Sequence, residues 1–455
     1  MADDVLTVAA LATPPGTGAI GIVRITGPES RAILRTIVPT LPADLPERRV
    51  HTGWARDPES GERIDQVVVF AFDPCSSSTG EQAAEIHGHG GPHVLDRLLG
   101  AALAAGASPA PPGEFTRRAF LSGRIDLLQA EAVALIVAAA GERAAAASAL
   151  QLAGGLSREF AAARSPLITA LAQVEASLDF PDDEVPPPDP ASISNLLGEA
   201  RERLGRLLET WEGARRIFQG VRIVLAGPPN AGKSSLFNRL LGRSRAIVDH
   251  EPGTTRDYLE ARVERSGIGL TLVDTAGLRD RPGRIERAGM ELSREAVRTA
   301  DVILLVVDGS GITAGAMALL EEASPGARIV AAINKIDLDE RMDGQSLSLL
   351  EPLPRFEVSA LTGEGVDELG SHLLDHEASR VDLEGPVLTC MRHRDLVSRA
   401  VRDIDRAEQV VTDGLPAEIL AVEIRSVLAR IDELTGRETV PDVLDEIFAS
   451  FCIGK

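Results

Sequence analysis

The sequence predicts a multidomain chain of α/β and α parts: an N-terminal α/β domain, a discontinuous helical domain, and a P-loop domain on a mainly parallel sheet inserted into the helical one. Three observations carry this. Between Val221 and Leu374 short apolar runs alternate with helical segments, the rhythm of a parallel sheet with crossover helices. Blocks rich in Ala, Leu, Glu and Arg flank that region on both sides, and neither block reads as able to close a core alone. The first 120 residues mix β-rich runs with Gly/Pro turns and one helical stretch.

Taken in order, residues 1–120 carry strand-like runs at Gly18–Ile25 and Gln66–Phe72 and a helical run at Gly91–Ala105. Residues 121–217 form the first helical part; it is broken by the proline-rich run from Pro181 to Pro188 and resumes from Ser192 to Phe218. Residues 218–376 hold the P-loop domain, with strands expected at Val221–Ala226, Leu270–Val273, Val302–Val307, Ile329–Ile333 and Phe356–Val358. Residues 377–455 form the second helical part, helical from Pro386 to Phe448. At 455 residues the length suits about three domains of roughly 150 residues.

Composition excludes several classes. With 44% hydrophobic and 25% charged residues the chain is neither disordered nor fibrous. A net charge of -21 opposes nucleic-acid binding by bulk electrostatics, which needs a basic face. Only Lys233, Lys335 and Lys455 are lysine among the 47 basic residues, so each is expected where a guanidinium does not substitute. Cys75, Cys390 and Cys452 are odd in number and far apart, which argues for a reducing, cytoplasmic setting without disulfides. The acidic start and the short apolar runs predict no targeting segment and no membrane span.

The strongest motif is Gly227-Pro228-Pro229-Asn230-Ala231-Gly232-Lys233-Ser234, which follows a strand and opens a helix as a phosphate loop must. Backbone N–H groups of such a loop wrap phosphates, Lys233 reaches the β and γ oxygens, and the Ser234 hydroxyl is a Mg²⁺ ligand. Asp274-Thr275-Ala276-Gly277 ends the next strand, with a carboxylate for the metal's water shell and a Gly N–H for the γ-phosphate. Asn334-Lys335-Ile336-Asp337 ends another; a carboxylate there accepts from guanine N1–H and N2–H₂, a donor pair that adenine lacks. Ser359-Ala360 suits a backbone donor to guanine O6. Within Gly253-Thr254-Thr255-Arg256-Asp257, Thr255 is the candidate second Mg²⁺ hydroxyl of a switch segment. Leu278 stands where Ras-like enzymes carry a water-orienting Gln, so catalytic help is expected from Asp280, Glu286 or one of Arg279, Arg281, Arg284 and Arg287.

These motifs resemble the TrmE-Era-Era-like family of GTPases. The segments Thr79-Gly80-Glu81, Glu85 to Gly91, Pro112 to Phe120 and Phe451-Cys452-Ile453-Gly454-Lys455 resemble its tRNA-modifying members along the whole chain. The resemblance implies a Ras-like G domain, a folate-binding-like N-terminal dimerisation domain, and a homodimer. It also implies K⁺-dependent hydrolysis of GTP that serves, with an FAD-dependent partner of the MnmG (GidA) type in a heterotetramer or larger complex, to add a carboxymethylaminomethyl-type group at C5 of the wobble uridine of tRNA. The one-carbon donor it implies is 5-formyl- or methylene-tetrahydrofolate, held by Arg24, Glu81, Arg124 and Lys455, with Cys452 as a catalytic candidate. By the same resemblance Asn230, Asp249, Glu251 and Thr254 hold K⁺, with Ser235, His250, Pro252 and Gly253 also on the nucleotide, and Glu286 becomes the water-positioning carboxylate. Asp249 departs from relatives that carry Ser or Thr there.

Other clusters read as structure. His87, His89 and His93 lie in what the glycines mark as a turn before a helix rather than a metal site. Arg215-Arg216 and Met391-Arg392-His393-Arg394 read as solvated basic spots on helices, with tRNA phosphates as the alternative partner. Two other functions compete on the sequence, a ribosome-assembly GTPase and a folate-dependent one-carbon transferase regulated by GTP.

Overall fold

The structure, a computed structural model, describes residues 6–179, 188–242, 259–265, 267–274, 293–338, 342, 344–379, 385–438 and 441–455. The chain forms two compact units. One comprises residues 1–138, 148–206 and 392–455; the other comprises 139–147 and 207–391. Residues 139–147, inside the stretch expected as the first helical part, pack with the second unit: Arg143 N donates to Gly267 O at 3.1 Å.

The first unit is built on a six-stranded sheet. Its strands are β1 (Val8–Leu11), β2 (Ile20–Thr26), β3 (His51–Arg56), β4 (Arg63–Phe72), β5 (Ala83–His89) and β6 (Ser108–Pro109), in the order β3-β4-β5-β2-β1-β6. All pairings are antiparallel except β1 with β6. Val23, Ile25, Val67, Val69 and Ile86 alternate toward helices α1 (Ser30–Ile37) and α2 (Pro92–Ala104), which bury Ile33, Leu34, Ile37, Leu95 and Leu98 on them. Glycine is required where α2 lies closest, since a Cβ at Gly21 would overlap Leu95 and one at Gly88 would overlap Leu98.

This corrects the expectation for residues 85–91. Residues 85–89 are not a turn but part of β5, paired on both sides through Val23↔Ile86 and Val69↔Ile86, and only Gly90 and Gly91 make the connection to α2, which carries His93. His87 Nε2 meets Glu85 Oε2 at 3.0 Å and His89 Nδ1 meets Asp65 Oδ1 at 2.8 Å, so two of the three histidines have carboxylate partners of their own.

The helices that follow are α3 (Glu114–Leu121), α4 (Leu127–Ala138), α5 (Glu142–Leu152), α6 (Gly155–Asp179), α7 (Pro190–Glu209) and α8 (Trp211–Gln219), and the later helices Met391–Thr412 and Ala417–Thr435 return to this unit. Helix α6 carries Arg164, whose guanidinium forks onto Asp432 at 2.9 and 3.1 Å across 268 residues of sequence. The basic spot at 391–394 is also corrected. His393 is fully buried with Nε2 2.6 Å from Glu131 Oε2, and Arg392 reaches the same carboxylate at 2.9 Å. Burial alone would raise the Glu131 carboxyl; the charge and hydrogen bond of His393, with Arg392 beside it, reverse this and hold it below the ordinary carboxylate range.

The second unit holds β7 (Val221–Ala226), β8 (Leu259–Arg265), β9 (Ile268–Asp274), β10 (Val302–Val307), β11 (Arg328–Ile333) and β12 (Arg355–Glu357), in the order β12-β11-β10-β7-β9-β8. Only β8 runs antiparallel. Strand β10 is a continuous apolar run buried along its whole length, and β7 is apolar and buried except at the half-buried Arg222, as strands covered on both faces are. Arg215, the first residue of the other basic spot, donates to Asp301 Oδ1 at 2.6 Å at the amino end of β10 rather than facing water as a bare cation. Among the described residues no helix is long and apolar enough to cross a membrane.

Candidate functional site: a phosphate loop joined to a base-recognition loop

Parallel strands deliver their carboxyl ends to one edge of the sheet, where doubly wound sheets bind ligands. The register Leu225↔Asp274, Leu305↔Ala226 and Val307↔Ile333 brings the ends of β7, β9, β10 and β11 to a common level. The phosphate loop leaves β7 there, Asp274 ends β9, and the Asn334 and Ser359 loops follow β11 and β12.

Two glycines fix the loop. Gly227 has φ 143° and Gly232 φ 91°; a Cβ on the first would fall on the Val306 carbonyl oxygen, and one on the second on the Asn334 amide nitrogen. Asn230 takes φ 64°, a value that Asn tolerates better than most residues. Helix α9 (Lys233–Leu241) begins directly after Gly232, so Lys233, Ser234 and Ser235 occupy its first turn, where N–H groups lack helical acceptors. The Lys233 ammonium is drawn back onto the loop, donating to Gly227 O at 3.0 Å and Pro228 O at 2.7 Å. Asp274 is fully buried.

The base-recognition side is a chain of hydrogen bonds. Asn334 Nδ2 donates to Ala231 O at 2.8 Å, and Asn334 Oδ1 accepts from Ala360 N at 2.9 Å. Ser359 Oγ donates to Asp337 Oδ1 at 2.5 Å and accepts from Thr362 N at 3.1 Å, fixing the carboxylate against its loop. Lys335 sits at φ 65° with its ammonium 2.6 Å from Asp308 Oδ2. Burial would raise the Asp308 carboxyl, but hydrogen bonds from Lys335 and Ser310 hold it below the ordinary range. A cavity of about 640 Å³ opens between these loops, and Gly232, Ser235, Asn334, Lys335, Asp337 and Ala360 are among the residues that line it, as are Asn238, Arg239, Leu338 and Leu361. Its size and its mixture of apolar surface with a few polar side chains suit a nucleoside.

Sequence reading had no signal for Asp308, Asn238, Arg239, Leu338 or Leu361, which belong to no motif. Asp249, His250, Glu251, Pro252, Gly253, Thr254, Thr255, Thr275, Ala276, Gly277 and Glu286 lie outside the described residues.

A second group of expected site residues gathers around α3 in the first unit. The Arg24 guanidinium lies over the Phe115 ring at 5.6 Å, with Nε donating to Glu85 Oε1 at 3.0 Å. Glu81 Oε2 takes Arg118 Nη1 at 2.8 Å. Arg124 passes beside Gly80 and donates to Pro74 O. Phe115 N donates to the Lys455 carbonyl at 3.2 Å, and Gly454, at φ 91°, is pressed so close to Leu11 O that no Cβ fits. Cys452 is an exposed free thiol.

A phosphate loop and an Asn-Lys-x-Asp loop at the carboxyl edge of one parallel sheet define the class, a P-loop GTPase. The remainder of the chain matches a specific family: the "GTP-binding protein TrmE N-terminus" over residues 7–124 and the "MnmE helical domain" over 127–452. A tRNA modification GTPase MnmE of Geobacter sulfurreducens is 40% identical over 99% of both chains, and one of Roseiflexus castenholzii is 42% identical over the full length of both. Among solved structures, the G domain of the T. maritima FeoB iron transporter aligns with 35% of this chain and 98% of its own, at 27% identity and a TM-score of 0.26. The chain belongs to the MnmE family of tRNA modification GTPases.

Proposed function

We propose that the chain is a K⁺-dependent cytoplasmic GTP hydrolase that adds an aminomethyl-type group at C5 of the wobble uridine of tRNA. It acts as a homodimer with the FAD-dependent MnmG (GidA) and draws its one-carbon unit from 5-formyl- or methylene-tetrahydrofolate. The observation that carries the nucleotide choice is the carboxylate of Asp337, pinned by Ser359 beside the Asn334 amide. A fixed acceptor pair in that position rewards N1–H and N2–H₂ of guanine and leaves adenine without donors to offer.

Each group has a task in this reading. The Lys233 ammonium is already held at the loop by two carbonyls, and a phosphate oxygen is the stronger acceptor. Ser234 would offer its hydroxyl to Mg²⁺ with Thr255 as the further hydroxyl, and the buried Asp274 would offer a carboxylate to the ion's water shell. The Asn230 side chain suits K⁺ by the same oxygen chemistry, and Asp249, Glu251 and Thr254 would complete the set; the ion, when bound, would supply positive charge that offsets charge developing on the phosphates. Glu286 orients the attacking water in place of the absent Gln. In the first unit, Glu81 Oε1 is without a partner among the described residues and accepts from an amino-pyrimidine edge, while Arg24, Arg124 and Lys455 bring cations for the folate carboxylates.

Two measurements test this. GTP turnover is expected to rise in K⁺ relative to Na⁺, and equal rates in the two salts remove the potassium step. tRNA from cells lacking the protein is expected to lose the modified wobble nucleoside by mass spectrometry; an unchanged nucleoside profile refutes the assigned chemistry.

A further inference from the structure

Arg239 lies on α9, two turns beyond the phosphate loop, and its guanidinium crosses to the loop that follows β12. Its Nη2 donates to the Leu361 carbonyl at 2.6 Å, across 122 residues of sequence. The contact is tight on the far side too, because a Cβ on Gly363, at φ 94°, would stand 3.2 Å from the same guanidinium. At the head of the loop Val358 pairs with the backbone of Ile333 and Ile336 at 2.8 and 3.3 Å; beyond it, among the described residues, Gly363 N donates to Ser359 O at 2.8 Å, Ser359 N to Glu364 O at 2.9 Å, and the Ser359 and Ala360 groups make the bonds to Asp337 and Asn334 described above. Arg239 thus braces the loop from the phosphate-loop helix and lines the same cavity.

The Ala360 N–H is committed to Asn334 Oδ1, so a base oxygen arriving at this loop must share that donor or take the Leu361 N–H next to it. Pinning the Leu361 carbonyl fixes how that part of the loop faces the cavity. We propose that Arg239 is a positioning residue for guanine recognition, holding the Ser359–Leu361 loop at its distance from the phosphate-loop helix so that base and phosphates are gripped as one rigid unit. The proposal rests on the reading of this cavity as a guanine site.

The test uses the full-length protein with Arg239→Gln and Arg239→Lys. Release of fluorescently labelled GDP is expected to accelerate about tenfold in R239Q, the effect of one lost charge-assisted hydrogen bond, and KM for GTP to rise in parallel while kcat at saturation stays within a factor of about two. R239K, which keeps a donor without the fork, is expected to recover part of the lost retention. Inhibition by inorganic tripolyphosphate, which engages only the phosphate loop, is expected to be unchanged. An unaltered GDP release rate overturns the proposal. So does an equal weakening of tripolyphosphate and GDP, which would mark Arg239 as a support of the helix itself. If the unmutated protein fails to prefer GTP over ATP, the guanine reading fails instead, and that result is separate from both arms.

Discussion

The Asn334 side chain bridges Ala231 and Ala360, donating to the one at 2.8 Å and accepting from the other at 2.9 Å. One amide thereby ties the loop that would wrap phosphates to the loop that would face the base. Both of its polar atoms are used, and the residue is almost completely buried, so substitution leaves two backbone groups without partners at once.

Gly232→Ala is the sharpest probe of this bridge. The new methyl group would stand 2.2 Å from the Asn334 amide nitrogen, far inside contact distance, at a residue whose φ of 91° already disfavours a side chain. Guanine-nucleotide affinity measured by calorimetry is expected to fall about a hundredfold, as two hydrogen bonds and a strained loop imply. Retained affinity would show that the bridge is dispensable.

Asp337→Asn exchanges one acceptor oxygen of the carboxylate for a donor. The variant is expected to lose GTP and to gain xanthosine triphosphate, whose C2 carbonyl accepts where guanine's amino group donates. Competition against labelled GDP checks it; an unchanged preference for GTP would place base recognition elsewhere.

The Lys335–Asp308 pair gives a pH dependence with a definite sign. The Asp308 carboxyl is held below its ordinary value of 3.8, so its stabilisation is complete above that value and is lost as pH falls through the lowered one. Asp308→Asn is expected to cost about 1 kcal/mol near neutrality, discounted for the partly exposed lysine, and to flatten the acid limb of the stability curve. Denaturant titrations at neutral pH and at pH near 3 measure both.

In the first unit, Glu131→Ala would take from His393 and the Arg392 cation the buried carboxylate that both reach. Such a break costs about 3–5 kcal/mol, and faster amide hydrogen exchange is expected in Leu127–Ala138 and Met391–Thr412. Glu131→Gln, which keeps the shape and an acceptor, is expected to lose less. Because Glu131 is held below its ordinary 4.5, its contribution persists above that value and disappears as pH drops through the lowered one.

The legible parts of this molecule are those whose signal is local. The strands Val221–Ala226 and Val302–Val307 are read to the residue because a doubly covered parallel strand is an almost unbroken apolar run, interrupted in the first by Arg222 alone, and the phosphate loop declares itself between strand and helix. Strand Ala83–His89 hides because its glycine and histidines imitate a turn; the glycine answers to Leu98 on a helix packed above it, which no spacing reveals. Arg392 and His393 read as a wet basic spot because their carboxylate stands 261 and 262 residues away. Arg239 and Asp308 escape notice for the same reason, since each acts on a loop distant in sequence.

The fork of Arg164 on Asp432 sets a timetable for synthesis. At roughly 5–20 residues per second, the 268 positions between the two take a ribosome about 13 to 54 seconds to add. Helix α6 therefore leaves the ribosome long before its partner exists, its apolar face meanwhile open to water or to a chaperone. The parallel sheet between Val221 and Glu357 is complete in that interval. The nucleotide-binding part thus gains all of its strands while the older helix still waits, and a truncated product ending before Asp432 would expose the helix that a quality-control protease can seize.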